Sequence, residues 1–217
     1  MEPSVEQILA SPRAAHIAEQ LQAALQAEAE RRTTFREWVT PDMKAEFING
    51  EVVLHSPAWA RHNQAAGRLY TLLHLHVELH DLGQIGIEKW MVALSRNDYE
   101  PDVCFWRKEV AATFLPDQLL FPVPDFIAEV LSDTTRHRDL DTKLVDYAAH
   151  GVGEYWVVDP ETQTVSQYLL ADEAYHLHLR SDSGVVRSVA VAGFVLPIPA
   201  LFGAGAFREA LPAGRPD

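Results

Sequence analysis

The stretch Asp125–Asp159, DFIAEVLSDTTRHRDLDTKLVDYAAHGVGEYWVVD, decides the fold. It opens on an apolar run, crosses a polar segment into a helix-period pattern, and closes on a second β-prone run, EYWVV. Strand, helix, strand is an α/β order. The pattern predicts strands over 126–131 and 154–158, and a helix from about 139 to 150 that Gly151 closes. In the first strand, alternation puts Ile127, Glu129 and Leu131 on one face and Phe126, Ala128 and Val130 on the other. Glu129 is thus an acid lodged in a strand that reads as buried. Ionised, it is expensive there unless a cation or several donors meet it. A structural pair with an arginine and a functional site meet that need equally well.

Upstream, PDVCFW (101–106) reads as another strand, with Asp102 at its start after a proline. Should the two strands be neighbours, Asp102 and Glu129 converge at one end of the sheet. Two carboxylates held together repel, and a hard divalent cation such as Mg²⁺, which takes oxygen ligands, relieves the repulsion. Downstream, Leu140, Leu144, Tyr147 and Ala148 form the inner face of the helix, with Lys143 at its border. Its stem can lie on the core while its ammonium reaches the strand ends. There it can orient an attacking water or offset charge on a phosphate oxygen. An ordinary boundary lysine is the plain alternative.

Further out, FINGEVVL (47–54) places Asn-Gly between two β-prone runs, the signal of a type I′ hairpin. A helix follows over roughly 61–81, with Ala65, Ala66, Leu69, Leu72, Leu73 and Leu79 inside and Gly83 beyond its end. Strands are predicted over 86–93, 103–106, 165–170 and 175–179, the late ones a hairpin extension on the sheet edge. Residues 5–32 are helical in pattern with sparse apolar positions (Ile8, Ile17, Leu21, Leu25), as in a docking arm or dimer element. The expected division is an N-terminal helical extension (1–34), a body (35–200) and a Gly/Ala/Pro-rich tail (201–217).

With 217 residues, 47% of them hydrophobic, the chain can bury one sizeable core. The lone Cys104 excludes an intramolecular disulfide framework and reads as a core thiol in a reducing cytosol. No apolar run approaches the ~20 residues of a membrane span, and the N-terminus carries no signal-peptide pattern, so a soluble cytoplasmic protein is expected. The formal charge of −13 argues against a general DNA-binding surface. It leaves room for a nuclease, because a carboxylate-rich cleft is acidic until metal binds. DNA contacts must then come from patches such as Arg136-His137-Arg138 or Arg107-Lys108. His76 and His80 have the i, i+4 spacing of a chelate, yet no HExxH pattern accompanies them, and they read as structural or solvated. His62, at a helix start just past the hairpin, is a candidate phosphate contact.

The run PDFIAEVLSDTTRHRDLDTKLVDYAAHGVGEYWVVDPETQTV, with PDV upstream and EFINGEVVLHSP plus His62 before it, resembles the Uma2 family (DUF820). That family is regarded as restriction-endonuclease-like, within the PD-(D/E)XK nuclease superfamily. The resemblance covers about Phe35 to Leu170. It implies an α/β restriction-endonuclease-like core, a central mixed β-sheet flanked by helices. It further implies a Mg²⁺- or Mn²⁺-dependent endonuclease that hydrolyses phosphodiester bonds of DNA. Asp102 matches the acid of the PD motif, Glu129 the second acid and Glu46 an early glutamate, and these three are the implied metal ligands. The superfamily's usual lysine, two places beyond the second acid, is Leu131 here, and the cationic role passes to Lys143 in the next helix. Double-strand cutting needs two sites, so a homodimer is expected. Two alternatives stand beside it: a catalytically inactive binding or regulatory module on the nuclease fold, and a hydrolase of some other phosphate ester.

Overall fold

Ser11-Pro12 splits the N-terminal helical pattern in two, because proline cannot continue a helix it does not begin. The computed structural model, which describes residues 4–212, accordingly starts with a short α1 (Val5–Leu9) and a long α2 (Ala14–Trp38). The Asn-Gly hairpin follows as β1 (Ala45–Ile48) and β2 (Glu51–Leu54), with Asn49 and Gly50 at φ of 50° and 84° as a type I′ turn requires. Then come α3 (Ala60–His80), β3 (Gly83–Ile87), β4 (Met91–Ala93), β5 (Asp98–Tyr99), β6 (Val103–Arg107) and α4 (Lys108–Ala111). After β7 (Leu120–Phe121) and β8 (Phe126–Val130), two short helices α5 (Arg136–Leu140) and α6 (Thr142–Ala149) lead to β9 (Glu154–Asp159). The chain continues as β10 (Thr164–Ala171), β11 (Ala174–Ser181), β12 (Val185–Arg187), β13 (Val195–Pro197), α7 (Pro199–Phe202) and α8 (Ala204–Ala210).

Six strands form the main sheet in the order β11-β10-β9-β8-β6-β3. The sheet is mixed: β8 and β9 run parallel, joined through α5 and α6, while the flanking pairs are antiparallel. A second sheet has the order β2-β1-β5-β4-β7. The predicted alternation along β8 holds. Phe126, Ala128 and Val130 enter a core with α3, and Ile127 and Leu131 enter a second core with Tyr147, Tyr155 and Trp106. On α3 the buried row is Leu69–Leu73–Val77, at about 1.5–3 kcal/mol per side chain removed from water. Leu79, expected inside, falls off that i, i+4 row and is exposed.

Three further differences matter. The single helix expected over 139–150 is broken at Asp141, whose φ and ψ of −130° and −77° are not helical. The strand expected over 86–93 is two strands in two sheets, separated by a turn at 88–90. The segment expected to trail off from Leu201 instead carries α7 and α8, with Leu201 fully buried and its carbonyl accepting from Arg68. An apolar side chain spaced to reach the core outweighs a tail-like composition. Residues 213–217 of that expected tail lie outside the described residues. Among the described residues no helix is long and apolar enough to cross a membrane.

Candidate functional site

The register between β6 and β8 pairs Val103 with Ala128, so one step further brings Asp102 beside Glu129. The Asp102 backbone N–H points at Glu129 Oε2 at 3.4 Å, and Asp102 Oδ2 accepts from the Val130 backbone N–H at 2.8 Å. β1, from the second sheet, supplies Glu46, which is fully buried. α6 supplies Lys143, and its Nζ is the hub: it lies 2.9 Å from Glu129 Oε1, 3.0 Å from Glu46 Oε1 and 3.4 Å from Asp139 Oδ1. All four residues singled out in the sequence therefore meet at one end of the main sheet.

The break at Asp141 explains how one short segment serves this hub twice. Asp139 closes α5 and Lys143 begins α6, so both side chains turn inward across the break. One helical turn on, the Tyr147 hydroxyl donates to Glu129 Oε1 at 2.8 Å. Lys143 is also 5.6 Å from the centre of the Tyr99 ring, a cation–π distance.

Each acid has its own support. Asp102 Oδ1 takes the Lys44 ammonium at 3.1 Å, and Oδ2 adds His62 Nε2 at 3.2 Å. Lys44 also reaches Glu88 at 3.2 Å. Glu46 Oε1 accepts from the Glu100 backbone N–H at 3.0 Å, and Oε2 pairs with His55 Nε2 at 3.0 Å. Glu100 in turn accepts from the Ala45 backbone N–H at 2.9 Å. Asp139 Oδ1, in contrast, is buried with no hydrogen-bond partner; its contact with Lys143 is an ion pair only.

These surroundings divide the acids. Burial pushes the Glu129 carboxyl up to about 8, and Asp139, Asp102 and Glu46 push the same way against Lys143. Burial likewise raises Asp139. Burial would also raise Glu46, yet Lys143 and His55 bring it down to about 2. Asp102 is lowered against its burial by His62 and Lys44. Lys143 is raised far above the usual lysine range: burial works against its charge, but three carboxylates outweigh it. Five buried acids (Glu46, Glu100, Asp102, Glu129, Asp139) thus surround two lysines. Burial also pushes Glu100 up, to about 7, so Glu129, Glu100 and Asp139 lean toward the neutral form while Glu46 and Asp102 stay ionised against the two lysines.

The number of carboxyl groups bears on whether a divalent ion suits the site. Among the described residues no group of three or more His, Cys, Asp or Glu side chains is disposed to hold a metal ion. A closed transition-metal cage is therefore not what the donors resemble. The adjacent Asp102 and Glu129, all-oxygen donors, fit a hard ion that takes one or two carboxylates and keeps its waters.

Other residues named from sequence fall elsewhere. Arg107 pairs with Asp125 at 2.9 Å, at the end of β6 away from Asp102, and Lys108 pairs with Asp81. Arg136 pairs with Asp159 at 3.0 Å. His76 meets the Ala192 carbonyl at 2.9 Å and stands against His80, with no acid joining them. Lys44, His55, Glu100, Asp139 and Tyr147 belong to the site without having been singled out. Of these Lys44 carried a usable signal, since it lies two residues before Glu46, just ahead of β1.

The fold is similar to the crystal structure of "a putative nuclease belonging to DUF820 from Anabaena variabilis ATCC 29413". The two share 16% identity at a TM-score of 0.67, over 80% of this chain and 96% of that one. No curated protein matches the chain. The profile of the Uma2 family, described as "Putative restriction endonuclease", matches residues 32–199, which include every member of the acid cluster. The chain belongs to the Uma2 family.

Proposed function

We propose that this protein is a metal-dependent endonuclease that hydrolyses phosphodiester bonds of DNA, with Mg²⁺ or Mn²⁺ as its ion. The observation that carries the reading is the convergence of Asp102 and Glu129 at one sheet end with Lys143 against Glu129. Asp102 and Glu129 would hold the ion, and Glu46, anchored by His55, would bear on its outer shell. When bound, a divalent cation supplies Lewis-acid polarisation of the phosphate. The protein's own groups do the rest. Val130 N–H and His62 fix Asp102 Oδ2, leaving Oδ1 to Lys44 alone. Tyr147 and Lys143 fix Glu129 Oε1. Because Lys143 is held protonated by three acids, its part is to orient the attacking water and offset phosphate charge, not to abstract a proton. Two such sites act on a duplex in a homodimer, for which the exposed Leu21 and Leu25 of α2 offer a contact.

A non-catalytic binding module on the same fold is the second reading. It is favoured by the charge of −13 and by Leu131, which sits in the core where the superfamily places its lysine.

The test is nicking of supercoiled plasmid with Mg²⁺ or Mn²⁺, beside the thermal stability of the same samples. Asp102→Ala and Glu129→Ala should each lose at least about a hundredfold in rate. Each should also lose the rise in melting temperature that the ion gives the wild type. Equal cutting by all three proteins overturns the reading. A melting shift in the wild type with no cutting under any ion favours the binding module.

A further inference from the structure

The turn at 88–90 connects the acid site to a cavity that the mechanism above does not use. On its near side, the Glu88 backbone N–H donates to the Asp102 carbonyl at 3.1 Å, and the Glu88 carboxylate shares Lys44 with Asp102. Glu88 itself has φ of 60°, an uncommon backbone state for a glutamate, so the turn is held by its surroundings. On its far side, Lys89 and Trp90 form the wall of a cavity of about 510 Å³ between β3 and the connection from α4 to β7. That is within the ~300–1,000 Å³ of small-ligand sites.

The wall is aromatic and polar in turn. Trp90 stands 4.5 Å from Phe121 between ring centres, and Phe114 meets Phe121 edge-on at 5.2 Å. Gln84 and Gln118 add two carboxamides, each held by the backbone: Gln84 donates to the Ile85 carbonyl at 2.9 Å, and Gln118 donates to the Leu120 carbonyl at 2.8 Å and accepts from the Leu115 N–H at 3.1 Å. The indole lies close over β3 because Gly86 has no side chain: a Cβ there would sit 2.7 Å from Trp90 Cγ and 2.8 Å from Cys104 Sγ. The one charged residue in this lining is a cation, Lys89, although the chain's formal charge is −13. Flat aromatic walls and a cation, Lys89, whose ammonium donates to the Pro41 carbonyl at 2.7 Å and is in no ion pair among the described residues, suit a planar group carried on an anionic backbone.

We propose that this cavity receives one unpaired nucleobase of the strand presented to the acid site. This rests on the nuclease reading and adds the class of substrate: nucleic acid with a base out of its stack, single-stranded or extruded. Stacking on the aromatic wall holds the base without demanding a sequence, and the two amides can meet its edge.

The test uses the full-length protein in EDTA, so that nothing is cut. The probes are a single-stranded oligodeoxynucleotide carrying one 2-aminopurine, and a fully paired blunt duplex of the same sequence. The base site requires 2-aminopurine fluorescence to change on binding, and tighter binding of the single strand than of the duplex. Trp90→Ala should weaken single-strand binding about tenfold or more, and Trp90→Phe should keep most of it. Gln84→Ala and Lys89→Ala, at the rim, should each weaken it several-fold, which covers the case of a Trp90 variant that does not fold. Unchanged single-strand affinity in the rim variants, with no fluorescence change in the wild type, overturns the proposal. The nuclease reading is judged apart: Asp102→Ala should keep the fluorescence change while losing plasmid cutting. A wild type that binds the base yet never cuts retains this site and loses that reading.

Discussion

Lys143 shows what a single residue costs and returns. An ammonium with 3% of its side chain exposed has given up most of its hydration, a loss of several kcal/mol. Glu46, Glu129 and Asp139 make that tolerable, and it makes their closeness tolerable in turn. Lys143→Met should therefore destabilise the fold by about 3–5 kcal/mol in urea unfolding, because three buried carboxylates lose their common partner. Lys44→Ala should cost about 1 kcal/mol, since Asp102 keeps His62 and the Val130 N–H. Equal stability of Lys143→Met and wild type would mean that the acids are neutral without it. Much of this hub was legible beforehand. A glutamate in an apolar strand, and a lysine bordering an apolar helix face, each announce an environment that periodicity can read. Asp139 did not, because it was read only as the start of the helix, and its burial goes with the break at Asp141. Tyr147 was read as an inner-face residue, correctly, but periodicity says nothing of where its hydroxyl points.

At the scale of elements, α2 is fastened to the body by charge as much as by apolar packing. Phe35 packs on Phe47 with ring centres 5.7 Å apart and planes tilted by 35°, and beside it Arg32 and Arg36 both grip the buried Asp98 of β5, at 2.6 and 2.7 Å. Burial would raise Asp98, but the two guanidinium groups hold it below the usual aspartate range. A group whose folded value lies below its unfolded value of about 3.9 adds stability in full above that pH. The contribution is lost as pH falls through the folded value. Acid should hence loosen α2: amide exchange over residues 28–38 should rise below about pH 4, before the main sheet opens. Asp98→Asn should produce the same exposure at neutral pH, since it leaves Arg32 buried without its counter-ion. Exchange over 28–38 that stays level with β8 and β9 in acid would show that Phe35 and Phe47 hold the helix unaided. The sequence pattern announced a helix here but not its anchor. Asp98 lies in the short strand β5 and meets Arg32 across 66 positions of chain, a separation at which local pattern carries no information.

For the whole molecule, the centre of the main sheet was readable because β6, β8 and β9 are buried on both faces and the crossover is short. The second sheet was readable only in its β1–β2 hairpin, since β5 and β7 have two residues each, below the length at which alternation can be seen. Its placement nevertheless decides the site, because β1 carries Glu46, and Lys44 just ahead of it, to the end of β6 and β8. What the fold leaves outside is the first part of α2. From Ala14 to Ala27 none of its residues is buried, and Leu21 and Leu25 are 56% and 44% exposed. With Ile17 they lie four residues apart along one stripe of a helix that tertiary packing does not otherwise support. A second copy of the chain, laid antiparallel on the same stripe, would cover these side chains by a two-fold relation and bring two acid sites into one particle. Leu21→Glu combined with Leu25→Glu should then halve the mass seen by sedimentation. The double variant should leave the melting temperature of the body nearly unchanged, because neither side chain touches either core. Nicking of one strand should survive in it, while concerted cutting of both strands should fall with the loss of the second site. A wild type that sediments as a monomer at micromolar concentration removes the arm as a dimer contact and makes any double-strand break the product of two separate encounters.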